Sequence, residues 1–365
     1  MPDRSDGWNT TGRYFFVCWA ALVLTVVFSL SAPATFASDP VKDLAREIHA
    51  IDADSAAELG VYIKHLGTGD VVTHRADRLW YLASTIKVPL AIAVLQTVEE
   101  KRLSLQDQIV LKKSDFVDGA GDLLYHQPGT RFSVAELLEK SIRNSDSTAT
   151  DMLIRLLGEK ELNRRIRESM VGEGFRPFTT ILQVRYDAYS ELHPRADELS
   201  NIDFLELRSA GGTDARVRAF LRKLGLGRDQ LKASTLEQAF ERYYERNTNS
   251  GTLVAFGLLL EKLVRGELLT DRHTELLFSH MGDISTGDKR LSAGLPEWIT
   301  FIQKTGTQIE RACNVGVIRP HVIDDAVVIA ACAEKFGDIH HAEQAFRKIA
   351  EALKLTGWWQ EKEAQ

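Results

Sequence analysis

Ser84-Thr85-Ile86-Lys87-Val88-Pro89-Leu90-Ala91-Ile92-Ala93-Val94-Leu95-Gln96 puts one hydroxyl and one amine at the head of an otherwise apolar run. The alanine, leucine and valine content predicts a helix from about Ser84 to Gln96, apolar nearly all round and therefore buried. Pro89, a turn past the start, bends that helix or marks a tight first turn. Residues three apart share a helix face, so Ser84 and Lys87 meet there. A buried lysine is costly unless something changes its charge state. If burial or neighbouring cations lower its pKa, it takes the serine proton and leaves a nucleophile. Ser84 opens the only S-x-x-K of the chain.

Outward from this helix, the middle of the chain stays helical. Ser133-Val134-Ala135-Glu136 is a capping box opening a helix to about Arg143. Thr148 to Leu157 and Val254 to Val264 carry further helical patterns. Ser145-Asp146-Ser147 falls in the break between two of these helices. Strands frame the helical stretch. Val61 to Leu66 and Val71 to His74 read as a hairpin about Gly67-Thr68-Gly69-Asp70, and Thr300 to Lys304, Cys313 to Ile318 and Ala326 to Ala333 follow near the end. Asp39-Pro40 caps a first helix with the stripe Val41, Leu44, Ile48 and Ile51, and a last helix runs from about His341 to Leu353. Each β portion is too small to stand alone. The expected fold is therefore α+β: an antiparallel sheet flanked by N- and C-terminal helices, built from 38–88 and 301–356. An all-helical domain, 89–300, is inserted in its middle. Lys304-Thr305-Gly306-Thr307 then ends the first of the late strands.

The 365 residues allow a large core, and 44% apolar with 26% charged residues is ordinary globular material. A formal charge of −6 disfavours nucleic acid and anionic membranes, which both ask for a basic face. Residues 1–37 read as a signal peptide. Arg13 precedes the apolar run Tyr14 to Leu30, and Ala32-Pro33-Ala34-Thr35-Phe36-Ala37 ends it with small residues, with cleavage after Ala34 or Ala37. A retained anchor is the competing reading, since ~17 apolar residues are at the lower edge of a spanning helix. Export places the protein in the periplasm or outside the cell. Cys313 and Cys332 flank the turn Arg319 to Asp325. Facing strands bring them within disulfide range, but two buried thiols are the favoured expectation. No H-E-x-x-H or cysteine pattern supports a metal, and Asp118-Gly119-Ala120-Gly121-Asp122 lacks the lysine and hydroxyl of a phosphate loop. That glycine pair lets a loop turn, at the mouth of a site or on plain surface.

Taken together in this order, the three motifs resemble those of class A β-lactamases and their penicillin-recognising serine-hydrolase relatives. Leu66-Gly67-Thr68-Gly69-Asp70, Leu103-Ser104-Leu105 and Gly287-Asp288-Lys289-Arg290-Leu291-Ser292-Ala293-Gly294-Leu295-Pro296 fall where that family has similar stretches. The resemblance covers about 40 to 355, apart from an insertion near 195–248. It implies that Ser84 attacks a carbonyl, Lys87 accepts its proton and Ser145 passes a proton to the leaving nitrogen. Lys304 and Thr305 meet a substrate carboxylate, and Gly306 lets the strand come close. The N–H groups of Ser84 and Thr307 form an oxyanion hole. The implied partner is a small-molecule β-lactam or a cell-wall peptide, handled by a monomer without cofactor, metal or nucleic acid.

Two departures qualify the expected activity. Ser147, a substrate-binding position, stands where the family has asparagine. The family's deacylating glutamate, in an omega-shaped loop, falls on Tyr189 of Tyr189-Ser190-Glu191-Leu192-His193, with Glu191 expected to point elsewhere. β-Lactam hydrolysis leads. A D-Ala-D-Ala peptidase or esterase, and a penicillin-binding sensor without turnover, are the alternatives.

Overall fold

The computed structural model describes residues 39–358, so the segment read as a signal peptide lies outside the described residues. Helix α1 (Pro40–Asp54) starts where the Asp39 carboxylate accepts from the Lys42 N–H at 3.2 Å. Strands β1 (Glu58–His65), β2 (Val71–His74) and β3 (Leu79–Tyr81) follow. Next comes a 3₁₀ turn, Ala83–Ile86, and then α2 (Lys87–Glu99). The single helix expected from Ser84 is thus two pieces. Pro89 becomes the third residue of α2, where a missing N–H costs nothing, and it produces no break.

A small ribbon pairs β4 (Gln108–Val110) with β5 (Arg131–Ser133). Helix α3 (Val134–Arg143) begins with the Ser133–Glu136 capping box, and α4 (Ser147–Leu157) is capped by Asp146. Helices α5 (Glu159–Arg165) and α6 (Ile181–Ser190) come next, then α7 (Asn201–Ser209), α8 (Thr213–Leu224) and α9 (Leu236–Tyr244). Strand β6 (Ser250–Thr252) pairs with β3, and α10 (Leu253–Val264) and α11 (Asp271–Gly282) complete the helical run. The chain ends with β7 (Phe301–Gln308), β8 (Arg311–Ile318), β9 (Val327–Glu334) and α12 (Ile339–Leu355).

The main sheet has five strands in the order β2-β1-β9-β8-β7, antiparallel throughout. All residues of β8 and β9 are buried, because helices cover both faces of the sheet. That explains why their sequences run apolar without alternation. One face carries α1 and α12, with Leu44, Ile48, Phe346 and Ile349 packed on Val61, Ile63 and Ile329. The other face meets α2 and α10 through Val315, Val317 and Ala330. A third core joins α6 to α9, centred on Tyr189, Phe204, Phe220, Leu236, Phe240 and Tyr243. The stretch around Tyr189, expected to be a loop, is therefore a helix whose apolar face has its own partners.

The cysteines correct another expectation. Cys313 and Cys332 are direct partners in the β8–β9 register and form a disulfide, S–S 1.97 Å, rather than two thiols. Facing residues of an antiparallel pair point to the same side, which brings the sulfurs together. Closing a loop of this length restricts the unfolded chain by about 3 kcal/mol. We expect a reductant, or Cys313→Ser with Cys332→Ser, to lower the melting temperature clearly. Identical melts with and without reductant count against a stabilising bridge.

Candidate active site

Ser84 lies in the 3₁₀ turn that enters α2. In such a turn, side chains three apart eclipse, so Ser84 and Lys87 line up more closely than in an α-helix. The neighbouring Ala83 has φ +47° and Ser145 has φ +53°. These are left-handed positions that non-glycine residues occupy at a cost, and they tend to cluster at working sites.

Lys87 is fully buried. Its Nζ donates to the Ser145 carbonyl at 2.5 Å and to Ser145 Oγ at 3.0 Å. Lys304, also fully buried, donates from Nζ to the same Oγ at 3.0 Å and to the Thr305 carbonyl at 3.1 Å. One hydroxyl thus lies between two amines. Burial pulls the Lys87 amine down to about 7; the Asp146 and Asp151 carboxylates oppose the fall and Arg185 adds to it. Lys304 is held well below the ordinary lysine range by burial first, then by Lys87 and Arg290. A carboxylate arriving beside Lys304 supplies the negative charge that favours its ammonium form.

Gly306 accounts for how close the two halves of the site come. A Cβ there meets Leu82 O at 2.6 Å, Ser84 N at 2.9 Å and Ala83 Cβ at 3.1 Å. Strand β7 therefore runs against the turn that carries Ser84. Thr305 Oγ1 shares a hydrogen bond of 2.6 Å with Thr286 Oγ1.

Ser147 begins α4, and its N–H donates to the Ala120 carbonyl at 2.9 Å. A Cβ on Gly119 falls 2.1 Å from Ser147 Oγ, so the glycine-containing loop presses on this hydroxyl. Of the two readings of that loop, the structure favours the mouth of the site. Asp146 fixes the same region, accepting from Ala149 N at 2.8 Å and Leu123 N at 2.9 Å. Asp118, just before Gly119, is paired with Arg185 of α6.

Tyr189 and Glu191 both have partners elsewhere in the fold. Tyr189 is 4% exposed and packs on Phe204 and Phe220. Burial, with Asp118 second, pushes its phenol up to about 12, so it stays protonated at neutral pH. The Glu191 carboxylate pairs with Arg246.

Two further residues of the site were given no role in the sequence: Arg290, quoted only within the stretch from Gly287 to Pro296, and Asp151. Arg290 is buried behind β7, donating from Nη1 to Gly306 O at 3.0 Å and Cys313 O at 2.9 Å, and from Nη2 to Thr307 Oγ1 at 2.5 Å. Burial lowers it to about 10. Asp151 is fully buried in α4 and accepts from Ile181 N at 2.7 Å and Leu182 N at 2.9 Å. Burial lifts its carboxyl to about 6, against those two N–H bonds. The only hint at sequence level was its charge among apolar neighbours.

A sequence model of the beta-lactamase enzyme family matches residues 43–179 and 206–356. The chain belongs to that family. The segment outside the match, 180–205, is α6, the turn after it and the start of α7. The β-lactamase of Mycobacterium tuberculosis is 27% identical over 322 residues, covering 88% of this chain and 87% of that protein. An ancestral class A β-lactamase superposes with a TM-score of 0.64 at 22% identity, over 86% of this chain and 99% of its own. A PBP-A mutant, solved as an acyl-enzyme complex with penicillin G, gives 0.62 at 22% identity, over 87% and 97%. The fold is the β-lactamase/transpeptidase type, and the protein is an enzyme of the beta-lactamase family.

Proposed function

We propose that this family member is exported, is acylated by β-lactams on Ser84 and releases the product slowly. The observation that carries the reading is the convergence of the Lys87 and Lys304 amines on Ser145 Oγ. Neutral Lys87 takes the proton as Ser84 Oγ bonds to the lactam carbonyl carbon. The C–N bond then breaks, and the proton travels through Ser145 to the leaving nitrogen. The N–H groups of Ser84 and Thr307 hold the oxyanion. Lys304 and Thr305 hold the substrate carboxylate, and Ser147 faces the acyl amide. Water then cleaves the ester, with Lys87 serving again as base, since Tyr189 stays protonated and Glu191 is engaged. The β-lactamase relatives and the penicillin-acylated PBP-A mutant support the substrate class. The Cys313–Cys332 disulfide supports an oxidising compartment, periplasmic or extracellular. A penicillin-binding sensor that does not turn over is the second reading, favoured by the state of Tyr189 and Glu191.

Incubation with benzylpenicillin is expected to leave a mass adduct on Ser84 that Ser84→Ala abolishes; an adduct elsewhere overturns the assignment. With a chromogenic cephalosporin we expect a burst near one equivalent and then slow turnover, unchanged in Glu191→Gln. A fast steady state lost in Glu191→Gln instead makes Glu191 the base. A burst with no turnover at all selects the sensor.

A further inference from the structure

Helix α6 packs on α4 and carries a buried cation that has no part in the proton path. Its first turn is tied to Asp151 of α4, which accepts from Ile181 N at 2.7 Å and Leu182 N at 2.9 Å. One turn on, and so on the same helix face, Arg185 pairs through Nε with the Asp118 carboxylate. Its Nη2 donates to Asp118 O at 3.2 Å. Both residues of the pair are buried. Arg185 Nη1 is buried too and makes no hydrogen bond. Asp118 is fixed from either side: Val117 N donates to Thr148 Oγ1 of α4 at 3.2 Å, and Ala120 O accepts from Ser147 N at 2.9 Å. The pair thus joins α6 to a loop seated on the start of α4.

Holding two segments together does not call for such a pair. Apolar side chains of similar volume do it as well or better, because each buried ion gives up its hydration. The unpaired Nη1 donor adds a further cost. What apolar groups do not supply is charge, and this charge reaches Lys87. The charged groups acting around that amine are Asp146 at the cap of α4, Asp151 within α4, Arg185 from α6 and Lys304 from β7. The two carboxylates favour the ammonium form of Lys87, and Arg185 works against them. Tyr81 and Tyr189, the phenols that act on Arg185, stay protonated because burial raises them. Asp118 is therefore the anion that offsets the guanidinium. We propose that Arg185 is a positioning residue for acylation: it presents its charge to Lys87 from α6, while Asp118 holds it in place and offsets part of that charge. The inference rests on Lys87 as the proton acceptor, proposed above.

Acylation by benzylpenicillin, followed across pH, tests it. The rate rises as Lys87 loses its proton, and the midpoint of the rise reports the balance of charge around the amine. Arg185→Gln removes the opposing cation and favours the ammonium form, so the midpoint is expected to move up by about one pH unit. The rate well below the midpoint then falls ~10-fold, while the alkaline plateau stays within ~3-fold of wild type. Asp118→Asn keeps the size and leaves the guanidinium unbalanced, so the midpoint is expected to move down by a similar amount. Arg185→Lys keeps the cation and is expected to bring the midpoint back toward wild type. Loosened packing alone does not produce shifts of opposite sign. Unmoved midpoints in Arg185→Gln and Asp118→Asn, or shifts in the same direction, overturn the proposal. Where Arg185→Gln is too unstable to assay, an unmoved or raised midpoint in Asp118→Asn overturns it. A wild-type rate flat across pH, or a rise that persists in Lys87→Met, instead overturns the reading of Lys87 as base.

Discussion

Lys87→Met slows acylation of Ser84 by benzylpenicillin by ~10²–10⁴-fold, the usual worth of general-base assistance. Methionine keeps the length and fills the fully buried space, so the fold survives while the base is gone. The pH dependence carries the same argument. Only neutral Lys87 accepts a proton, and its pKa is lowered to about 7, chiefly by burial. The wild-type acylation rate should therefore rise with pH, level off above about 7, and fall tenfold per pH unit well below it. In Lys87→Met that limb disappears. Quenched mass spectrometry of the adduct between acid and alkaline pH reads both effects. A variant within a few-fold of wild type, or one that keeps the limb, assigns the base elsewhere.

Gly306→Ala is expected to cost acylation ~10²–10³-fold, the scale of losing one oxyanion donor. The added carbon meets Leu82 O at 2.6 Å and Ser84 N at 2.9 Å, backbone atoms that cannot swing aside as a side-chain tip does. Strand β7 must then draw back from the nucleophile turn, widening the gap between the Ser84 and Thr307 N–H groups. The β7–β8 ladder runs on both sides of Gly306, so the melting temperature should fall by only a few degrees. Single-turnover acylation near the wild-type rate shows that the two N–H groups do not act together.

The elements of the main sheet were legible because each carries a local pattern. Asp39-Pro40 opens a helix by capping chemistry, and β8 and β9 run apolar because both faces are covered. The Ser84 stretch was read correctly as buried, but its opening 3₁₀ turn was not, because a 3₁₀ turn and the first turn of an α-helix leave the same residue pattern. Tyr189 was read into a loop by alignment to relatives, while its burial depends on Phe204 and Phe220, which arrive from later helices. The disulfide hinges on strand register, which a sequence leaves open by a residue or two. Within the site, contiguous motifs led to Lys87, Ser145 and Lys304, which the fold brings together. Asp151 belongs to no motif and Arg290 stood unassigned within a longer family-like stretch, so only tertiary contact reveals their place in the site.

The contact between Gly119 and Ser147 also bears on how this sequence can change over time. Alanine at 119 would put its Cβ 2.1 Å from the Ser147 hydroxyl, and a side chain longer than serine at 147 reaches toward the same space. Each position restricts what the other accepts. The Gly119 loop is itself tied through Asp118 to Arg185 and through Ala120 to Ser147 N. Asparagine at 147 is therefore expected to be accepted more readily when the loop changes with it.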